Sequence, residues 1–267
     1  MTTYAHPDAL VDVDWVQTHA GDLNVRLVEV DVDTTAYDSG HIPCALGWNW
    51  QIDLQQRPAR DIPDQQEWEA LLSRSGIAPD TTVVLYGDNH NWFAAFAYWI
   101  FKLYGHDKVA LLDGGRDKWL ADGGDLTTDL PSIAPASYTV TKTRPELRAF
   151  RDDVRHAVTN DGTAIIDVRS PKEYSAQRGG HVPGAQNVPW ATAVAPDSTF
   201  RPVEELRAIY GDKGVDAETP AIAYCRIGER SAHTWFVLSE LLGIPNVRNY
   251  DGSWTEWGSL IGAPIER

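Results

Sequence analysis

The segment Cys225-Arg226-Ile227-Gly228-Glu229-Arg230-Ser231 joins an apolar run, AIAYC at 221–225, to a helical pattern, SAHTWFVLSELLG at 231–243. A cysteine at a strand end that turns directly into a helix has free backbone N–H groups aimed at its sulfur, with the positive end of the helix dipole beside them. Both effects favour thiolate over thiol, and the thiolate is the nucleophile. Arg226 and Arg230 add charge of the same sense, and Gly228 lets the loop curl tightly. A core cysteine needs none of these neighbours. The chemistry this predicts is covalent catalysis at Cys225, with the loop field supplying the thiolate and no general base called for.

The rest of the composition narrows the setting. Cys44 and Cys225 are the only cysteines, so a disulfide framework is excluded, as is a structural zinc site with four Cys or His ligands. The formal net charge of −15 disfavours nucleic acid and anionic membranes as partners. In so acidic a chain a local arginine cluster points to a small anion. No run of about eighteen apolar residues predicts a membrane span. The start, MTTYAHPDALVDVDW, lacks the basic and apolar stretches of a secretory signal, so a cytoplasmic location is expected.

The elements that must position Cys225 come from an internal repeat. VVLYG at 83–87 matches AIAYC at 221–225, with Tyr86 and Tyr224 138 residues apart. The same offset carries Gly76 to Gly214, Gly105 to Gly243, Asp113 to Asp251, Gly114 to Gly252 and Trp119 to Trp257. Upstream, His41-Ile42-Pro43 matches His181-Val182-Pro183, and Trp50 matches Trp190, at an offset of 140. In each copy short apolar runs alternate with helical patterns. The strands predicted are VEVDV, VVLYG and VALLD, then AIIDV, AIAYC and VRNYD. The helices predicted include EWEALL and WFAAFAYWIFKLYG in the first copy. In the second they include VEELRAIYG (203–211) and the segment 231–243, each ending on a glycine suited to a left-handed cap. Such alternation predicts an α/β fold, a mostly parallel sheet covered by helices on both faces, built twice. Ligands of such sheets bind at the carboxyl ends of the strands, where Cys225 lies. The domains are placed at 1–128 and 151–267. Residues 129–150, rich in Pro, Ser and Thr, read as an extended linker.

The loop, the following HTWFVLSELLG and NYDGSWTEW, and the tandem repeat resemble the rhodanese family, in particular actinobacterial thiosulfate sulfurtransferases. The resemblance covers nearly the whole chain. It implies two rhodanese-like domains of which only the second keeps the cysteine, and the first copy has Gly87 and Asp88 in place of Cys225 and Arg226. It further implies that Cys225 carries sulfur as a persulfide, cradled by the backbone N–H groups of Ile227, Gly228, Glu229, Arg230 and Ser231. Asp167-Val168-Arg169 is similar to the family's D-x-R segment, which makes Arg169, with Arg226 or Arg230, the expected holder of a thiosulfate sulfonate. Ile227 stands where animal thiosulfate enzymes have a lysine, which loosens the donor assignment. Arg226 speaks for thiosulfate over mercaptopyruvate, because mercaptopyruvate enzymes have a small residue there. Thiol phosphatases of related fold have five residues between cysteine and arginine. The four between Cys225 and Arg230 form a smaller cradle, suited to one sulfur atom. A non-catalytic sulfur carrier is the rival of another class. The partners expected are a small anionic sulfur donor and a thiophilic acceptor such as cyanide or a thiol, with no metal or organic cofactor.

The remaining candidates read as structural. His181 recurs in the copy without a nucleophile, His233 reads as a packing or polar-surface residue, and Cys44 as a structural cysteine. Trp190 and Trp254 are placed as possible walls of the site.

Overall fold

The structure, a computed structural model, describes residues 3–159, 162–175 and 179–267. The chain divides into two compact units. One comprises Asp8–Arg144 with Pro196–Thr199. The other comprises the N-terminal residues up to Pro7, Pro145–Ala195 and Phe200–Arg267.

In the first unit, strands β1 (Leu10–Val11), β2 (Val25–Asp31), β3 (Leu46–Asn49), β4 (Thr82–Tyr86) and β5 (Val109–Leu112) form a parallel sheet in the order β1-β5-β4-β2-β3. Its helices are α1 (Val13–His19), α2 (Thr35–Ser39), α3 (Trp50–Asp53), α4 (Gln65–Arg74), α5 (Asp88–Leu103) and α6 (Gly115–Ala121). The central strands β4 and β5 are almost wholly apolar because both faces are covered. Leu27, Val84 and Leu112 pack with Val13 and Val16 of α1 and Trp119 of α6. Phe101 of α5 meets Trp68 of α4 edge-on, their centroids 4.8 Å apart.

In the second unit, β6 (Ala164–Asp167), β7 (Gln186–Asn187), β8 (Ala221–Tyr224) and β9 (Val247–Tyr250) form a parallel sheet in the order β7-β6-β8-β9. Helices α7 (Arg151–Thr159), α8 (Pro171–Tyr174), α9 (Val203–Gly211), α10 (Glu229–Phe236) and α11 (Ser253–Trp257) accompany it. α10 runs on into a π-helical turn at Val237–Leu241. Ile165, Ile222 and Tyr224 pack with Val154 of α7 and Trp257 of α11.

The two units repeat each other down to single hydrogen bonds. The Tyr86 hydroxyl accepts from Ile42 N at 3.1 Å, and the Tyr224 hydroxyl accepts from Val182 N at 3.1 Å. Tyr37 stacks on His41 and Tyr174 on His181, at 3.9 and 3.7 Å between centroids. His181 is thus a buried packing residue. The fourth sheet pairing survives as a single bridge, Arg148↔Asn249, where the first unit pairs Leu10↔Leu111, with both partners displaced by 138 residues.

The short strands β1, β3 and β7 are absent from the sequence reading, since runs this short carry no periodicity. Gly243 is left-handed as expected, with φ 68°. Gly211 instead closes α9 within the helix, and the left-handed residue is Gly214 (φ 74°), whose N–H reaches Gly211 O at 2.9 Å. Residues 128–144 carry no helix or strand, yet they are pinned along α4: Ala136 N donates to Ser73 O at 2.8 Å and Val140 N to Glu69 Oε1 at 2.8 Å. None of the helices among the described residues is long and apolar enough to cross a membrane.

Candidate active site

β8, paired on both sides by β6 and β9, delivers Cys225 to the carboxyl end of the second sheet. The chain then bends through Arg226-Ile227-Gly228 into α10. Gly228 has φ 104°, and a Cβ there would lie 2.8 Å from Asp251 Cα, so both backbone conformation and space require glycine. Its N–H donates to Cys225 Sγ at 3.1 Å. The turn after β9 holds the loop from the opposite side. Ser253 Oγ accepts from Cys225 N at 3.0 Å, Trp254 N donates to Cys225 O at 3.1 Å, and Thr255 N donates to Arg226 O at 3.0 Å.

The expectation of a depressed thiol is reversed. Cys225 is 0 % exposed. Burial pushes the thiol up, and the Glu229 carboxylate adds to the rise. Arg230 and the N–H groups of Ser231 and Gly228 pull the other way but do not prevail. The thiol donates to Glu229 Oε2 across 3.5 Å, and Ser253 Oγ lies 4.0 Å from the sulfur. The loop geometry is as the sequence implied. The balance of charge differs, because desolvation outweighs a few oriented dipoles when the sulfur is sealed.

The arginines are distributed unequally. Arg226 is exposed at the loop's edge. Arg230 grips Glu173, with Nη1 3.0 Å from Oε2 and Nη2 3.2 Å from Oε1. Partial burial opposes the charge on Glu173, but the Arg230 pair and the Ser170 N–H hold its carboxyl down to about 2. Arg169, 2 % exposed, is given over to its neighbours. Its Nη2 lies 2.6 Å from Asp167 Oδ2 and 2.9 Å from Gly180 O, and Trp254 covers the guanidinium at 4.4 Å. Its Nε and Nη2 edge is thereby taken by Asp167. His233 is fully buried between Phe200 and Trp190, at 4.9 and 5.2 Å, so its reading as a packing residue holds and a surface place does not. Cys44 is exposed, not a core residue. It occupies a left-handed turn (φ 69°) matching Gly184 (φ 76°). Among the described residues no group of three or more His, Cys, Asp or Glu side chains is placed to hold a metal ion.

The site includes residues that sequence reasoning passed over: the side chains of Glu229 and Glu173, and Ser253. The repeat carried a signal for two of them. At the 138-residue offset Cys225 replaces Gly87, Glu229 replaces Asn91 and Ser253 replaces Gly115. Gly115 and Ser253 share a left-handed backbone, with φ 55° and 54°. Serine tolerates that conformation poorly, and strain of this kind is kept where a side chain is needed. In the first unit the corresponding bend is closed differently: Asn91 Oδ1 accepts from Gly87 N at 3.0 Å, and no thiol is present.

The sequence profile of the rhodanese-like domain matches residues 12–122 and 150–260. A "putative thiosulfate sulfurtransferase" of Haloferax volcanii is 50% identical over 277 residues, covering 97% of this chain and 96% of that protein. The "sulfur carrier protein TtuD" of Thermus thermophilus is 50% identical over 280 residues, covering 99% and 98%. A "putative thiosulfate sulfurtransferase" of Mycobacterium tuberculosis is 53% identical over 275 residues, covering 98% and 99%. Among solved structures, wild-type EanB superposes with a TM-score of 0.88 at 24% identity, over 100% of this chain and 70% of that one, a likeness of fold.

Proposed function

The chain belongs to the rhodanese family, with the domain present twice, and from that premise we propose that it is a thiosulfate sulfurtransferase working through a persulfide on Cys225. The observation that carries this reading is the bond from Gly228 N to Cys225 Sγ at 3.1 Å, at the start of a helix on a central strand. An N–H group so placed is suited to a second sulfur bearing negative charge.

In the first half-reaction the Cys225 sulfur attacks the outer sulfur of thiosulfate, the S–S bond of the donor breaks and sulfite leaves. In the second, cyanide or a thiol takes the outer sulfur and Cys225 is restored. The backbone from Ile227 through Gly228, Glu229 and Arg230 to Ser231 forms the cradle. Arg226, exposed, is the donor-facing cation, and Arg230, held by Glu173 and Glu229, lends its charge to the site. Arg169 supports the site from beneath Trp254. The acceptor is a small thiophile, and the chemistry uses no metal or organic cofactor.

Mass spectrometry after incubation with thiosulfate alone tests the reading. The wild-type chain gains one sulfur and releases sulfite. Cys225→Ala and Cys225→Ser do neither, and sulfite release retained by either variant refutes the assignment. A relative of 50% identity is named a sulfur carrier, which supports a second reading in which a partner protein loads Cys225. Failure of thiosulfate alone to add the sulfur favours that reading. Faster turnover with mercaptopyruvate replaces the donor and keeps the persulfide.

A further inference from the structure

We propose that the Glu229 carboxylate is a catalytic residue of this site, the base that takes the Cys225 proton and returns it to the persulfide. This rests on the sulfur-transfer reading above. Glu229, 5 % exposed, receives the thiol hydrogen bond on Oε2 at 3.5 Å. Its Oε1 lies 3.6 Å from Arg230 Nε, which supplies the countercharge, while the other Arg230 nitrogens are engaged by Glu173. The carboxylate therefore stands between the reacting sulfur and an arginine that favours its ionised, proton-accepting form.

Two further observations separate this role from loop packing. The first is the repeat. In the unit where Gly87 replaces Cys225, Asn91 replaces Glu229, and its amide closes the bend through Gly87 N. The first-unit bend has a backbone of its own, with Asn91 left-handed at φ 66°, and there an amide suffices. The proton-accepting group is present where the thiol is present. The second is the sealed thiol itself, which burial holds in its protonated form against the pull of the loop. A sulfur in that state needs a base within reach before it can attack.

Protons and electrons then balance. The Cys225 S–H bond breaks as Glu229 Oε2 takes the proton. The sulfur's pair attacks the outer sulfur of thiosulfate, and the pair of the broken S–S bond leaves on sulfite. Glu229 passes the proton to the terminal sulfur, giving Cys–S–SH. An acceptor thiolate RS⁻ attacks that sulfur, giving RS–SH and the Cys225 thiolate, which regains a proton from solvent to restore the starting thiol.

The charged groups around the pair are Arg230 on α10, Arg226 on the loop and Glu173 on α8, together with Asp251 after β9, which Arg148 engages at 2.8 Å. Asp167 with Arg169 lies at the end of β6, and Glu256 of α11 is taken by the Tyr250 hydroxyl at 2.7 Å.

The experiment is single-turnover sulfite release from thiosulfate by the full chain, followed across pH for wild type, Glu229→Gln and Glu229→Asp. The expected result for Glu229→Gln is loading slowed about 10²-fold or more at neutral pH, with the deficit shrinking as pH rises and the thiol ionises unaided. Glu229→Asp is expected to keep the wild-type pH profile at a reduced rate. Equal loading by Glu229→Gln overturns the proposal. So does faster loading at low pH, which is what mere removal of a negative charge beside a thiol would produce. If Glu229→Gln does not fold, Glu229→Asp decides, and loading unchanged at every pH overturns the role. A wild-type chain that releases no sulfite removes the thiosulfate reading and this one together. Normal wild-type loading matched by Glu229→Gln removes only the role of Glu229.

Discussion

Asp167 and Arg169, two residues apart at the end of β6, form a buried ion pair in which Arg169 Nε lies 2.9 Å from Asp167 Oδ1 and Nη2 lies 2.6 Å from Oδ2. The Tyr224 hydroxyl donates to the same Oδ2 at 2.6 Å. The first unit keeps the carboxylate and the tyrosine at the same repeat positions, Glu29 and Tyr86, and changes only the arginine. There Glu29 is the carboxylate, and the arginine is Arg116 on α6, with Nη1 2.7 Å from Glu29 Oε1. Arg116 stands at the repeat position of Trp254, the ring that covers Arg169 in the second unit. A carboxylate at this depth needs a guanidinium, and the two units bring it in from opposite ends of the fold.

Asp167→Asn is expected to destabilise the second unit by about 3 kcal/mol, because it leaves Arg169 buried without its countercharge. The shift of the urea midpoint measures this. An unchanged midpoint would mean that the pair adds nothing to the folded state.

The two thiols are expected to label in a fixed order. Cys44 is exposed, whereas Cys225 is buried and its thiol is pushed up. Iodoacetamide should therefore modify Cys44 at neutral pH about tenfold faster or more, since Cys225 is both sealed and held back from the thiolate. Peptide mapping of a time course reads the order, and early labelling of Cys225 would count against a sealed sulfur.

Asp31 gives the first unit a pH dependence of unusual sign. It is 4 % exposed. Burial, chiefly, with the charges of Asp88 and Glu29, pushes its carboxyl up to about 8, against the hydrogen bond from Asp88 N. An acid raised on folding favours the folded state fully where it is protonated in both states, below its ordinary 3.8. That contribution is lost as pH climbs toward about 8. Asp31→Asn should abolish this slope. It should match wild type at the acid end of the window and exceed it by up to about 5 kcal/mol at the alkaline end. Denaturant unfolding at both ends tests this, and parallel curves for the two proteins would contradict it.

Much of the architecture was legible in order and register. The 138-residue offset, the six principal strands and the cysteine at a strand-to-helix bend all come from local spacing. The edge strands β1, β3 and β7 were not, since two to four residues hold no pattern and are extended only by their neighbours. Gly211 was misplaced because a helix end depends on which carbonyls find partners. Arg169 read as an anion binder because its type and place suited one. In the fold Asp167, two residues away, pairs with its Nε and Nη2.

What the sequence determined by itself was where Cys225 sits and what backbone surrounds it: a strand, a glycine bend, a helix start and a diverged copy lacking the thiol. The tertiary structure decided the sulfur's protonation and its partners. Those depend on opposing terms that no spacing reports: the depth at which Cys225 is sealed, the Glu229 carboxylate 3.5 Å away, and the pairing of Arg230 and Arg169 with carboxylates from other elements. Desolvation and charge act through space, so their balance exists only once distant segments have come together.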